Sequence, residues 1–346
     1  MLVSEDISSI ISRVGDKFYA LSGQNLFITG GTGFIGSYLL KTLAYLNDTI
    51  LIKPCRTFIL TRNPYAFFAK MPDIASRDDF ITVKGNVSEF TFDQIKCDYI
   101  IHAATTADPF VTNNDPLGSM ETITSGTLNV LKLAETNKVK SFLYLSSGAV
   151  YGTQPVRLKQ IPEDFLQGPD ITTSTSGYAE GKRYAEVLSS IYRERYCMQV
   201  KVARLFTFVG PYIDLNAQYA VTDFIKKCQK QEPIIINSDG TLVRSYCYST
   251  DVAVALWEIL LGETDISTFN VGSDDGISIS ELAEFVSSCF NKKVPVMIKE
   301  PALPEKLPAR YLPDISKLKE TFDFKLQYDS LSAVKRSIDW LMENNL

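Results

Sequence analysis

The chain has 346 residues, of which 45% are hydrophobic and 22% are charged, and its formal net charge is −5. This composition is typical of a globular protein with a large core and an appended lobe. Lysine and arginine are spread along the whole sequence, so the chain lacks the basic face with which proteins bind a phosphate backbone. We therefore expect no nucleic-acid partner.

The six cysteines are widely separated and the chain has one histidine, which excludes the common zinc-binding spacings and makes free thiols the simplest interpretation. The first residues lack a basic segment followed by an apolar one, and no run reaches the roughly 18 apolar residues of a membrane span. We expect a cytoplasmic protein with no metal site and no membrane partner.

Residues 1–24 predict a leader helix. Apolar side chains recur at helical spacing at Ile7, Ile10, Ile11, Val14 and Phe18, which indicates a face that packs on the body of the protein. Because an apolar helix face also suits a partner protein, a partner-binding helix is the alternative interpretation.

From residue 25 onward, short apolar segments alternate with helical patterns. The apolar segments lie at 26–28, 57–60, 80–83, 99–101, 142–145 and 200–205, and the later helical patterns at 118–136 and 178–196. Strands that alternate with helices pair in parallel through right-handed crossovers, which predicts an α/β fold with a doubly wound parallel sheet. We assign residues 25–205 to this Rossmann-type domain, together with a returning strand near 268–272.

Residues 206–346 predict a smaller, mixed α/β lobe that binds substrate. Helical patterns lie near 219–230, 250–261, 279–290 and 330–344, with short apolar segments at 234–236 and 269–272. Prolines concentrate between Pro295 and Pro313, which predicts an irregular connection inside this lobe.

A glycine-rich turn follows the first predicted strand. Gly30, Gly33 and Gly36 lie between that strand and an amphipathic helix. Glycines at this spacing permit a tight turn, let backbone N–H groups approach a pyrophosphate, and let the helix pack close to the strand. We predict that this turn binds a dinucleotide. The cofactor-binding residues here are Gly30, Thr32, Gly33, Phe34, Ile35 and Gly36.

The second predicted strand ends at Thr61 and is followed by Arg62. The acidic residue that would bind the ribose hydroxyls of NAD, about 20 residues beyond the glycine turn, is missing. An arginine pairs with a 2′-phosphate, whereas a carboxylate repels it. The sequence therefore favours NADP(H) over NAD(H), the alternative being that Arg62 is a solvated surface residue.

Tyr178 and Lys182 are four residues apart on a predicted helix and so lie on one face of it. A neighbouring ammonium favours the phenolate, so such a pair can move a proton near neutral pH. The same spacing also occurs by chance, with a packed tyrosine and a solvated lysine. A second motif, Ser146-Ser147-Gly148 after the fifth predicted strand, makes the catalytic interpretation the stronger one.

Together these motifs resemble the extended short-chain dehydrogenase/reductase family, which contains nucleotide-sugar epimerases, dehydratases, decarboxylases and 4-ketoreductases. The similarity runs from Asn25 to the C-terminus. Its further motifs lie at 126–131, 204–206, 209–211 and 244–248, with Asp251. The resemblance implies that Ser147 hydrogen-bonds the reacting sugar oxygen, that Tyr178 moves its proton, and that Lys182 holds the nicotinamide ribose.

The resemblance also implies the other binding residues. It places Asn86 and Val87 beside the adenine and Ala103 and Ala104 beside the cofactor. It places Arg244 on the diphosphate of a nucleotide-diphosphate sugar, the alternative being a surface ion pair, and Thr207 at the opening of the substrate lobe. His102 matches a structural position at the edge of the cofactor site. We also expect a homodimer.

Several positions depart from the family patterns. Gly148 and Ala149 stand where the dehydratases of the family carry two acidic residues. The decarboxylases carry a glutamate at the second of these positions, that of Ala149. Without a general acid or base there, elimination is not expected. Asn86 replaces a usual aspartate, and Ile123 and Tyr212 also differ from the pattern, which leaves the identity of the substrate open.

The leading prediction is an NADPH-dependent reductase of a nucleotide-linked 4-keto-6-deoxy sugar, with Tyr178 as the proton donor. A nucleotide-sugar 4-epimerase is the first alternative, because it uses the same three side chains. A nucleotide-uronic acid decarboxylase is the second, because residues 312–317 are similar to those enzymes. A non-catalytic NADP sensor is the third, and it is disfavoured by the retained Ser147, Tyr178 and Lys182.

Overall fold

The computed structural model describes residues 2–105, 109–303, 305 and 307–344. The first part of the chain forms α1 (Leu2–Val14), a 3₁₀ helix (Gly15–Leu21), β1 (Asn25–Thr29), α2 (Phe34–Thr49), β2 (Arg56–Thr61), α3 (Pro64–Lys70), α4 (Pro72–Ala75), β3 (Phe80–Lys84), β4 (Tyr99–His102), α5 (Pro109–Asn114), α6 (Pro116–Asn137), β5 (Ser141–Ser147), two 3₁₀ turns (Gly148–Tyr151 and Ser174–Ser176), α7 (Gly177–Tyr196) and β6 (Val200–Leu205).

The second part continues with β7 (Phe208–Val209), α8 (Ala220–Gln229), β8 (Ile234–Ile236), β9 (Val243–Ser245), β10 (Cys247–Tyr248), α9 (Ser249–Leu261), β11 (Thr268–Val271), β12 (Gly276–Ser278), α10 (Ile279–Ser288), β13 (Val296–Ile298), β14 (Arg310–Tyr311), α11 (Ser316–Phe322) and α12 (Ser330–Glu343).

A seven-stranded parallel sheet organises the molecule. Its strand order is β11-β6-β5-β4-β1-β2-β3, and every neighbouring pair is parallel. The chain runs outward from β1 to β3 and then returns to β4 on the other side of β1, so the predicted doubly wound α/β fold is confirmed. Ligands of such sheets bind in the crevice where the strand order reverses, at the carboxyl ends of the strands. Here that crevice lies between β1 and β4.

Both faces of the sheet are covered by helices. Residues of α1, α2 and α9 form one buried cluster, and residues of α6 and α7 form another with the opposite face of the central strands. All four residues of β4 are buried, which explains why the apolar segments of this domain are continuous instead of alternating with polar residues. The site-bearing ends of the strands are thus held by a rigid layered core.

The second lobe is built around three helices. Residues of α8, α10 and α12 form a separate cluster beside the parallel pair β13-β8 and the three-stranded sheet β12-β9-β14. The segment between Pro295 and Pro313, predicted to be irregular, contains β13 and β14. These strands have three and two residues, which is too short to produce a recognisable alternation in sequence.

The leader segment packs on α2 and α9. Ile7, Ile10, Val14 and Phe18 are buried, and Ile11 is partly buried and packs against the same cluster. Within the described part of the chain, no helix combines the length and the apolar character needed to cross a bilayer.

Candidate active site

The glycine turn joins β1 to α2 at the crevice. Gly30 has φ +71°, and a Cβ there would lie 2.6 Å from the carbonyl oxygen of Ala103. A Cβ at Gly36 would lie 2.4 Å from the carbonyl oxygen of Gly30. Both positions therefore require glycine. Gly30 has a left-handed backbone and lies close to the residues that follow β4. Gly36 lets the helix pack closely against the glycine turn.

The start of α2 is arranged to receive an anion. Gly33 is its N-cap and provides no side-chain cap, so the first amide groups of Phe34, Ile35 and Gly36 are available to a ligand. The turn is held in place from outside, because the ammonium of Lys70 donates to the carbonyl of Thr32 at 2.7 Å. The residues present therefore fit the pyrophosphate of a dinucleotide.

A cationic cleft lies at the carboxyl ends of β2 and β3. Its volume is about 420 Å³. Its lining residues are Arg62, Asn63, Pro64, Tyr65, Phe68 and Lys84. Lys84 was missed by the sequence analysis; the signal was a lysine at the end of β3, directly opposite Thr61 in the register. Two cations at one cleft favour a phosphate-bearing group there.

Two loops border the cofactor crevice. The amides of Ala103 and Ala104 both donate to the hydroxyl of Thr29, at 3.1 and 3.0 Å, which fixes the end of β4 beside the glycine turn. Asn86 is exposed just beyond β3, and Val87 is buried. A Cβ at Gly126 would lie 2.8 Å from Val87. Glycine at this position of α6 therefore lets the loop that carries Val87 pack closely against the helix.

Ser147, Tyr178 and Lys182 meet at the carboxyl edge of the sheet. Ser147 ends β5, while Tyr178 and Lys182 lie in the first turns of α7. The Lys182 ammonium donates to the carbonyl of Leu145 at 2.6 Å. It lies 4.8 Å from the ring centroid of Tyr144 and 5.9 Å from that of Tyr178. The structure therefore brings together the three residues that the sequence singled out.

Burial shifts the protonation of this cluster. It lowers the pKa of Lys182 to about 7, opposed by the charge of Glu186. Burial also raises the pKa of Tyr178, opposed by a polar interaction with the Ser147 side chain. Burial thus favours the neutral phenol of Tyr178 and the uncharged amine of Lys182.

An ion-pair network behind the cluster fixes α7 against β5 and β6. Arg204 contacts Glu186 at 2.7 Å, and the hydroxyl of Ser146 donates to the same carboxylate at 2.5 Å. Arg204 also donates to the hydroxyl of Tyr151 at 2.8 Å, which in turn donates to Asn270 at 2.7 Å. This half-buried network positions the helix that carries Tyr178 and Lys182.

His102 occupies an interior position. Its ring nitrogens lie 2.8 Å from the hydroxyl of Thr29 and 3.0 Å from that of Thr127. Burial, with the nearby Lys182 charge, lowers its pKa to about 3. His102 is therefore neutral at physiological pH and joins β1, β4 and α6.

The second lobe brings two side chains to the site. Arg244 and Tyr311 are register partners on β9 and β14, and the Arg244 guanidinium carbon lies 5.7 Å from the Tyr311 ring centroid. The buried Arg244 Nε has no hydrogen-bond partner among the described residues. Thr207 follows Phe206, whose ring centroid is 4.8 Å from that of Tyr311. Sequence analysis missed Tyr311, because β14 has no pattern of its own.

Comparison with known proteins identifies similar chains over most of this length. The model of the NAD dependent epimerase/dehydratase family matches residues 26–272. UDP-glucuronic acid decarboxylase 5 of Arabidopsis thaliana is 28% identical, over 91% of this chain and 88% of that protein. Among solved structures, UDP-N-acetylglucosamine 4-epimerase of Methanobrevibacter ruminantium, in complex with UDP-N-acetylmuramic acid, is 24% identical with a TM-score of 0.78, covering 93% of this chain and 99% of that one. UDP-glucose 4-epimerase of Thermotoga maritima, with UDP-glucose, is 20% identical with a TM-score of 0.78, covering 93% and 100%.

Proposed function

The chain belongs to the NAD-dependent epimerase/dehydratase family, and from that premise we propose that it interconverts the C4 alcohol and ketone of a nucleoside-diphosphate sugar, most simply as a 4-epimerase. The observation that carries the proposal is the meeting of Ser147, Tyr178 and Lys182 beside the glycine turn, next to Gly148 and Ala149, which bear no acid. This is a site for proton movement at one sugar oxygen.

A bound nicotinamide cofactor supplies the redox chemistry at C4. The protein moves the proton: as a phenolate, Tyr178 takes it from the C4 hydroxyl during oxidation, and as a phenol it returns the proton during reduction. Ser147 donates a hydrogen bond to the same sugar oxygen. The Lys182 ammonium, close to the Tyr178 ring, stabilises the phenolate when it forms.

The second lobe would hold the nucleotide. Arg244 carries a planar set of donors whose buried Nε is unpartnered among the described residues, which suits the diphosphate of a nucleotide sugar. Thr207 lies between the catalytic domain and this lobe and would line the opening. A sugar bound between Arg244 and Tyr178 would present its C4 oxygen to the catalytic pair.

The same geometry argues against the two other reactions of this family. Elimination of water needs a second acid–base pair near C5 and C6, and the places for it hold Gly148 and Ala149. The similarity to the UDP-glucuronic acid decarboxylases does not extend to the glutamate that the family resemblance assigns to position 149. These residues leave the 4-epimerase and the reductase of the sequence analysis, which use the same three side chains.

A reductase of a nucleotide-linked 4-keto-6-deoxy sugar is the second candidate, and the cationic cleft favours it. Arg62 and Lys84 line that cleft, as a site for the 2′-phosphate of NADP(H) would require. A reductase consumes reduced cofactor in every turnover, which is the usual task of NADPH. We propose NADP(H) over NAD(H) on this observation.

One experiment separates the candidates. Purified protein is incubated with UDP-glucose and oxidised cofactor, with UDP-glucuronate and oxidised cofactor, and with dTDP-4-keto-6-deoxyglucose and NADPH. A C4-inverted product with no net change in nicotinamide absorbance identifies the epimerase. Loss of NADPH in proportion to the keto sugar consumed identifies the reductase. Release of CO₂ from UDP-glucuronate would overturn the assignment, as would the absence of turnover with all three sugars.

A further inference from the structure

The Lys182 ammonium is buried inside the catalytic cluster. Lys182 is 2% exposed, and its ammonium donates to the carbonyl of Leu145 at 2.6 Å. A buried ammonium is disfavoured unless neighbouring groups compensate for the lost hydration, and burial accordingly lowers the pKa of Lys182 to about 7. The proposed chemistry needs this lysine in its charged form. Its protonation near neutral pH therefore depends on the groups that surround it.

Ionisable side chains face Lys182 from three elements. Tyr178 and Glu186 lie one turn before and one turn after it on α7, Tyr144 lies on β5, and His102 lies on β4. The charge of Glu186 opposes the effect of burial, but this carboxylate is already paired in the network behind the cluster. His102 is neutral at physiological pH, since its pKa is lowered to about 3. The contribution of Tyr144 remains to be explained.

Tyr144 presents the face of its ring to the ammonium. The Lys182 nitrogen lies over this ring, 4.8 Å from its centroid, compared with 5.9 Å for the ring of Tyr178. The negative face of an aromatic ring attracts a cation within about 6 Å, most strongly where water is excluded. Tyr144 is 1% exposed, so water is excluded here. Its hydroxyl has no hydrogen-bond partner among the described residues, which makes the ring the part of this side chain that acts on Lys182.

We propose that Tyr144 is a positioning residue, whose ring holds the Lys182 ammonium in its charged form beside Tyr178 through a cation–π contact. The proposal rests on the proposed function, in which the charged lysine stabilises the Tyr178 phenolate. Tyr144 acts through Lys182 and takes no part in the proton transfer itself.

The test replaces the ring at position 144 and follows the protonation of Lys182. In protein labelled with ¹³C at lysine Cε, the Lys182 signal is identified by its loss in Lys182→Met and is titrated without cofactor. Tyr144→Leu removes the ring, so the titration midpoint should fall by about one pH unit. Tyr144→Phe keeps a ring and should move the midpoint far less. Phe142→Leu is the control, because it removes a ring from the same buried cluster two residues earlier on β5.

A second series keeps the shape of the side chain. Phenylalanine analogues with one, two and three ring fluorines are incorporated at position 144. Fluorine withdraws electron density from the ring face and weakens its attraction for a cation, so the Lys182 midpoint should fall stepwise from its value in Tyr144→Phe. This series decides the question even if Tyr144→Leu does not fold. An unchanged midpoint across the series, or equal falls in Phe142→Leu and Tyr144→Leu, would overturn the proposal.

The pH dependence of turnover is a readout that packing alone would not move. Lys182 loses its charge as the pH rises, so the fall of kcat/KM with rising pH, at saturating cofactor, should begin about one pH unit lower in Tyr144→Leu than in the wild type. A shifted lysine titration with an unshifted profile would overturn the positioning role. Failure of the wild-type protein to convert any nucleotide sugar would overturn the proposed function instead, and the lysine titration would still decide whether Tyr144 holds the charge of Lys182.

Discussion

At the scale of single residues, the proposed chemistry depends first on the Tyr178 hydroxyl. Tyr178→Phe should lower kcat by roughly 10²-fold or more, because a general acid–base group is lost while the ring and its packing remain. Cofactor affinity, measured by titration with the dinucleotide, should change little. The matched control is Tyr196→Phe at the other end of the same helix, where the side chain is 38% exposed. Turnover of the Tyr178 variant near that of the wild type would remove this residue from the mechanism.

Arg62 tests the cofactor preference at the same scale. Arg62→Ala should weaken NADP(H) binding by about 1.5 to 3 kcal/mol, the usual contribution of a charge-assisted hydrogen bond, and leave NAD(H) binding unchanged. Dissociation constants of both cofactors provide the measurement. Arg56→Ala is the control, because Arg56 is exposed at the opposite end of the same strand. An equal loss for both cofactors, or a wild-type preference for NAD(H), contradicts the NADP(H) proposal.

At the scale of elements, the leader helix α1 carries a buried carboxylate that contacts three other elements. Asp6 is 1% exposed. It accepts hydrogen bonds from the hydroxyls of Tyr38 and Tyr248, at 2.9 and 2.8 Å, and from Arg336 at 2.8 Å. These partners lie on α2, β10 and α12. The leader therefore joins α2, the helix after the glycine turn, to the second lobe. The apolar spacing of the leader alone did not predict this role.

Removing the Asp6 carboxylate should lower the free energy of unfolding. Asp6→Ala leaves two buried phenols without their acceptor and removes the buried partner of Arg336, so we expect the free energy of unfolding to fall by about 3 kcal/mol. Urea denaturation measures the change. Glu5→Ala is the neighbouring control: Glu5 also pairs with Arg336, but its side chain is 54% exposed, and its loss should cost less than about 1 kcal/mol. Similar losses in the two variants would show that Asp6 does not anchor the leader.

At the scale of the whole molecule, the expected homodimer stays a prediction. We expect its interface on the exposed surface of α6 and α7. Tyr184, Val187 and Ile191 follow one face of α7 and are 47–57% exposed, and Leu117 at the start of α6 is 68% exposed. A two-fold axis can pair such a face with its own copy. A second copy of the chain is therefore the partner we expect.

The mass in solution tests the assembly. The wild-type protein should have twice the mass of the chain by light scattering, and Val187→Asp combined with Ile191→Asp should give the single-chain mass, because two buried carboxylates would face each other across the axis. Leu166→Asp, at a side chain that is 90% exposed outside both helices, is the control. A wild-type protein with the mass of one chain would contradict the homodimer.

Local patterns in the sequence predicted the sheet, the glycine turn, and the pairing of Tyr178 with Lys182. They could do so because strand and helix periods, glycine turns and i,i+4 neighbours are properties of short segments. Three features escaped these patterns: Lys84 in the same cleft as Arg62, Asp6 in contact with two tyrosines and Arg336, and Tyr311 beside Gly148. Each joins groups from elements that are distant along the chain. Their positions depend on how layers pack and on the register between β9 and β14, so only the tertiary structure could decide them.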